Sequence, residues 1–225
     1  MFRLMPKAVC SPCAVYKVQD DAVAARIAAR EALILGNPPR IAPISPEDFT
    51  PEVWALKRNI DIAAGLANAN DYVSEWLATL LRHPALLQAH SQLAVTVMNG
   101  LLPARDREMA VLRTGWLCQA PFEWSGHVEL AKRMAGMTDE EIEWVVIGSS
   151  APGWGAHDRA VLRAVEEMLG NAMIADETWA VLAQSYDEPQ LIELPVLIGQ
   201  YLGVAFLQNS LRVVLPEGYQ GLRAR

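Results

Sequence analysis

Apolar residues recur along this chain at intervals of three and four rather than two, and proline and glycine cut the pattern into blocks. The pattern predicts helices throughout and no strand. An alanine-rich helix is expected over residues 20–35, stopped by Gly36 and the Asn37-Pro38-Pro39 that follows. The proline-rich stretch NPPRIAPISPEDFTPEVW then reads as an extended arm that enters a short helix near Pro51. From residue 67 the helices follow closely. One is expected at 70–82, and others start at Pro84, Pro103 and Pro121, with proline in the first turn; Gly100 and Gly136 end the first and last of these three. Thr138 and Glu141 are spaced as a capping box ahead of EIEWVVIG. Further helices are expected at 156–169 and, capped by Asp176, at 177–186. The last, EPQLIELPVLIGQYLGVAFLQNSL, is apolar on nearly all sides, so it must be surrounded, and Pro195 predicts a kink in it. No repeat of fixed spacing is present. The expected organisation is an N-terminal helix and proline-rich arm over residues 1–64 and one helical domain over 65–215.

At 225 residues the chain is long enough to bury a sizeable core, and 52% hydrophobic with 20% charged residues is an ordinary globular composition. The net charge of −7 gives no basic footprint for nucleic acid or an anionic membrane surface, which leaves a small molecule or a second copy of the chain as the expected partner. The first twenty residues lack the unbroken apolar core of a signal peptide, and the most apolar run, 194–207, is short for a membrane span and carries Gln200. A cytoplasmic protein is expected.

The three cysteines form no disulfide framework. Cys10 and Cys13 have the spacing of a thiol redox pair, but nothing nearby assures the lowered thiol pKa such a pair needs. Glu123 and His127 lie four apart, hence one turn apart on one helix face. Spacing alone favours a histidine satisfied within its own helix over an acid/base pair. A second carboxylate bears on the choice. Glu108 precedes Cys118 by ten residues and His127 follows it by nine, so an antiparallel hairpin turning near 118 brings Glu108 and His127 to similar height. A carboxylate beside an imidazole fixes its tautomer and raises its pKa, which suits proton transfer near neutral pH. His83 and His157 stand at helix starts, where structural roles suffice, and His90 is left open. No His spacing suggests a metal site.

The block LLPARDREMAVLRTGWLCQAPFEWSGHVELAKRMAGMTDEEI resembles the carboxymuconolactone decarboxylase and AhpD-like alkylhydroperoxidase family, whose motif has the form E-x11-C-x2-C-x3-H. Counting back from His127, the glutamate position is Glu108, and the two cysteine positions fall on Ala120 and Glu123. Supporting stretches are LRHPALLQAH, DRAVLRAVEEM and the last apolar helix, so the resemblance covers roughly residues 39–212 and leaves 1–36 without a counterpart. It implies an all-α, AhpD-like helical bundle, here with an extra N-terminal helix and arm, that assembles as a homo-oligomer: a trimer, a hexamer or a dimer.

With both redox cysteines of the motif absent, the resemblance points to the decarboxylase branch. It implies a lyase or isomerase that works on a small cyclic carboxylate or lactone without metal or organic cofactor. His127 is then the acid/base, Glu108 orients it, and Glu123 is a second proton-transfer group or a pocket wall. Trp116, Phe122, Trp124 and Tyr201 are the expected pocket residues. Arg113, with Arg105, is the nearest candidate to offset the two carboxylates before an anionic substrate. An AhpD-like alkylhydroperoxide reductase and a noncatalytic binding protein of the same fold are the alternatives.

Overall fold

The computed structural model describes residues 12–63 and 73–225. Among them are ten α-helices and no strand: α1 (Pro12–Ile34), α2 (Pro51–Ala63), α3 (Glu75–Leu80), α4 (Pro84–Met98), α5 (Ala104–Leu117), α6 (Pro121–Ala135), α7 (Asp139–Ile147), α8 (Ala156–Asn171), α9 (Asp176–Leu182) and α10 (Glu188–Leu211). Short 3-10 turns lie at Pro46–Asp48 and Gly221–Arg223.

Local chemistry sets most of these boundaries. Pro84 and Pro121 occupy first helical turns, where a missing N–H costs nothing. The Thr138–Glu141 capping box forms, and Asp187 and Gln190 make a second one at the start of α10. Gly136 closes α6 at φ 64°. Four elements differ from the pattern, the first being α3, which starts after its Ser74 cap and ends at Leu80, inside the expected 70–82. Helix α1 begins at Pro12, well before residue 20. Pro103 is the cap of α5 and precedes its first turn. Helix α9 is capped by Ala175, holds Asp176 in its first turn and ends at Leu182, where Ala183 and the residues after it turn toward α10. Pro195 removes one N–H from the α10 ladder without ending the helix.

Helices α5, α6, α8 and α10 pack around the main core, in which Met109, Leu112, Trp124, Val128, Leu162 and Leu197 are fully enclosed. By length and composition α10 could cross a membrane, but in this fold Leu194, Leu197, Ile198 and Ala205 make it a central core helix. The C-terminal tail, beyond residue 215, returns to the same core through Leu222 and Ala224, and the Trp124 indole N–H donates to the Ala224 carbonyl at 3.0 Å. A smaller cluster joins the arm to α2, α3 and α4 through Phe49, Leu80, Leu81 and Leu87. Together α4, α6 and α10 frame the cavity in which the polar groups of the sequence meet.

Candidate active site

Helices α5 and α6 form the antiparallel hairpin expected from the sequence, turning through Cys118, Gln119 and Ala120. The turn is tight: Gln119 adopts φ 47°, and the Ala120 N–H donates to the Gly115 carbonyl. It sets Glu108 on one arm opposite Glu123 and His127 on the other. His127 Nδ1 lies 2.8 Å from Glu108 Oε2, and its Nε2 lies 3.0 Å from Glu123 Oε1. The imidazole is thus held from both sides, which satisfies both ring nitrogens only if two protons are shared among the three groups.

The surroundings reinforce this arrangement. Glu108 is wholly buried, and Arg107 Nε approaches its other oxygen at 3.4 Å. The Gln208 side-chain N–H donates to Glu123 Oε2 at 2.7 Å, while the Gln208 side-chain Oε1 is buried with no partner among the described residues. Tyr201 meets the imidazole edge-on, with ring centroids 5.0 Å apart. Burial opposes an imidazolium at His127, but the Glu123 charge and the hydrogen bond and charge of Glu108 outweigh it and raise its pKa to about 10. Burial likewise works against an ionised Glu108, yet His127 and Arg107 hold its pKa below the ordinary carboxylate value. Desolvation and the two carboxylates push the Tyr201 phenol well above its usual range, so it stays a neutral donor, here toward the Met98 sulfur.

Through His127 and Glu123 the trio reaches a cavity of about 480 Å³ whose walls include Trp76, His90, Phe122, Arg133, Tyr201 and Gln208, with Glu108 buried behind them. Of the residues expected to line it, Phe122 and Tyr201 do so. Three others lie elsewhere. Trp124 follows Glu123 by one position, a turn of about 100° that directs its ring into the main core. Trp116 packs on Trp124 with ring centroids 5.0 Å apart, beneath the Arg225 guanidinium. Arg113 faces α7 and α8: it pairs with Glu166 at 2.8 Å and donates to the Val145 and Val146 carbonyls. That seat exists because Gly148, at φ 97°, leaves free the space a Cβ would take from the guanidinium. Arg105 is paired with Glu141 and Asp158.

Among the described residues lining the cavity, the arginine is Arg133, six residues beyond His127 on α6, which the sequence reading passed over. Gln208 was missed too, although it lies seven residues after Tyr201 and so on the same face of α10. His90, left open by its sequence, lines the cavity with Nδ1 3.2 Å from the Gln200 amide nitrogen. Burial lowers its pKa against the opposing Glu123 charge, so it is a neutral wall group.

Cys118 is half-buried in the hairpin turn, outside the cavity lining, and burial raises its thiol to about 11 despite the Arg30 charge. Ala120 is the buried cap of α6. Cys10 lies outside the described residues, and the pairing of Cys10 with Cys13 lies outside them as well. Among the described residues no group of three or more His, Cys, Asp or Glu side chains is disposed to hold a metal ion.

Residues 83–167 match the Carboxymuconolactone decarboxylase family. No curated protein matches the chain. Solved structures similar to it include the AhpD core of an uncharacterized peroxidase-related protein from Ralstonia eutropha, with TM-score 0.66 and 13% identity over 80% of this chain and 94% of that one. An uncharacterized peroxidase-related protein from Silicibacter superposes with TM-score 0.64 and 14% identity over 82% and 97% of the two chains. A debrominase solved in complex with 2,3,4-tribromopyrrole gives TM-score 0.62 and 15% identity over 79% and 92%. At these identities the likeness is one of fold, and the fold is the AhpD-like all-helical one.

Proposed function

We propose, on the match of residues 83–167 to the carboxymuconolactone decarboxylase family, that the chain is a cofactor-independent lyase or isomerase that moves a proton on a small cyclic carboxylate or lactone. The observation that carries this reading is the buried Glu108–His127–Glu123 trio opening on a mostly apolar cavity.

Glu108 is the fixed member. Fully buried and held ionised, it accepts the Nδ1–H and sets the ring so that Nε2 points at Glu123. The mobile proton lies between Nε2 and Glu123 Oε1, 3.0 Å apart. In one state the imidazolium donates to the Glu123 carboxylate; in the other, Glu123 carries the proton as a neutral acid at the cavity wall. From there it protonates a substrate carbon, or in reverse accepts a proton from one. For decarboxylation, the C–C bond to the substrate carboxylate breaks, carbon dioxide leaves, and the electron pair left on the ring carbon takes the proton from Glu123. Solvent then restores the proton.

The site does not repel an anionic substrate as two bare carboxylates would. The His127 imidazolium and the Arg107 guanidinium balance Glu108 and Glu123, and at the cavity wall Arg133, one turn beyond Glu129, offers a guanidinium for the substrate carboxylate. The apolar walls favour loss of charge at the carboxylate that departs. A thiol peroxidase would need a thiol in the cavity, and Cys118 sits outside its walls with a raised pKa. The exposed Ile192, Val196 and Phe206 of α10 fit the reading of a homo-oligomer.

The test is a screen of lactone carboxylates and cyclic keto acids in heavy water, read by NMR for deuterium entering carbon and for release of carbon dioxide. Wild type and Cys118→Ser should turn over the same substrate while His127→Ala should not. Activity surviving in His127→Ala, or lost in Cys118→Ser, overturns the proposal.

A further inference from the structure

A second cleft, separate from the acid/base cavity, lies where the end of α1 and the arm cross the C-terminal end of α10. It encloses about 190 Å³ and is lined by Arg30, Leu33, Ile34, Arg40, Asn209, Ser210 and Arg212. In a chain of net charge −7 this lining holds three arginines and no acidic residue.

None of the three guanidiniums has a carboxylate partner among the described residues. Arg30 donates to the Gln119 and Cys118 carbonyls at 3.2 and 3.4 Å. Arg40 donates through Nη1 to the Ser210 carbonyl at 3.0 Å. The Arg212 side chain has no hydrogen bond or ion pair among the described residues. Neutral carbonyls orient these groups without offsetting their charge, so like charges gather unbalanced. Asn209 spends one N–H on the Cys118 carbonyl at 3.0 Å, and its buried Oδ1 has no partner among the described residues. The cleft therefore offers several donors carrying positive charge.

The backbone at Arg212 points the same way. It closes α10 at φ 55° and ψ 54°, a left-handed position where glycine is the unstrained choice. The Arg212 and Val213 N–H groups donate to the Asn209 and Gln208 carbonyls and hold this turn, and an arginine in it brings its guanidinium to the cleft at a conformational cost.

We propose that this cleft binds the phosphate group of a small organic phosphate. Arg30, Arg40 and Arg212 take the phosphate oxygens, which guanidinium donors match in charge and fork geometry. The exposed Leu33 side chain offers an apolar wall for the organic part. The site is independent of the acid/base reading of the other cavity.

The test is calorimetry and thermal melting of the full chain with inorganic phosphate and with phenyl phosphate, against chloride at matched ionic strength. Both phosphates should bind and raise Tm, phenyl phosphate the more strongly. Arg212→Gly removes one guanidinium while relieving the left-handed backbone, so it should melt no lower than wild type without ligand and bind about tenfold more weakly. Arg40→Ala should lose affinity similarly, and Arg133→Ala at the acid/base cavity should lose none. Full affinity in both Arg212→Gly and Arg40→Ala, a loss confined to Arg133→Ala, or no binding beyond chloride would overturn the proposal. Equal affinity for the two phosphates would overturn its organic part.

Discussion

Helix α5 carries two acids two residues apart, Asp106 and Glu108, and each meets a histidine on another helix. Two positions turn them about 200° around the helix, so they face opposite sides. Asp106 Oδ2 lies 2.8 Å from His157 Nε2 and also accepts the Tyr186 hydroxyl at 2.6 Å. Each histidine even meets a tyrosine edge-on at 5.0 Å: His157 with Tyr186, His127 with Tyr201. The ingredients are nearly the same, and the outcomes differ. The second nitrogen of His157 faces the Ser185 hydroxyl at the surface, at 2.9 Å, and the cluster ties α5 to α8 and to the α9–α10 connection, outside the lining of the acid/base cavity. The second nitrogen of His127 faces another buried carboxylate on a cavity wall. An imidazole–carboxylate pair is therefore a structural tie by default. It becomes a candidate for proton transfer when a second acid and an open space stand next to it.

The sharpest break in the comparison is catalytic. On a substrate found by the heavy-water screen, His127→Ala and Glu108→Gln should each lower kcat/KM by about 10²–10⁴-fold, the usual worth of acid–base assistance. Asp106→Asn and Tyr186→Phe should leave kcat/KM nearly unchanged. Their effect belongs to stability. Each leaves part of a buried hydrogen-bond cluster unmet, so urea denaturation should show a loss of about 1–3 kcal/mol.

A pH series sharpens the contrast further. The pKa of His127 is raised in the fold from 6.5 to about 10, so the stability it contributes is complete below about 6.5 and fades as pH rises through about 10. Glu108 is shifted down, so its contribution is present above the ordinary carboxylate value and fades as the solution turns acid. Denaturation of wild type and His127→Gln should therefore differ most just below about pH 6.5, above the carboxylate range, and converge toward pH of about 10. The smallest expected effect is that of Cys118→Ser, which should change neither turnover nor its pH profile. A thiol-dependent reaction would show the reverse.

The hairpin that pairs Glu108 with His127 was legible because its information is local. Pro121 opens α6, Gly136 closes it, and four-residue spacing sets Glu123 and His127 on one face. The rest depended on contacts distant in sequence. Trp124 and Glu123 are neighbours in sequence, yet one faces the core and the other the cavity, a division that only the packing of the tail residue Ala224 and of α10 decides. Arg113 was read as an offset for the carboxylates because it is close in sequence. Its partner Glu166 and the Gly148 turn that seats it are 35 and more residues away. Gln208, from α10, satisfies Glu123 across 85 positions, and His90 comes from α4. Such partners leave no trace in a local pattern beyond a polar residue interrupting an apolar face.

The central claim is that His127 holds a proton between two carboxylates through the neutral range. The ring ¹⁵N shifts of His127, assigned against His127→Gln and followed from about pH 6 to about pH 9, test it most directly. The account predicts that both ring nitrogens stay protonated across that span and that Glu123→Gln brings the titration down toward neutrality. An imidazole that loses its proton near 6.5 in the wild-type protein would contradict it.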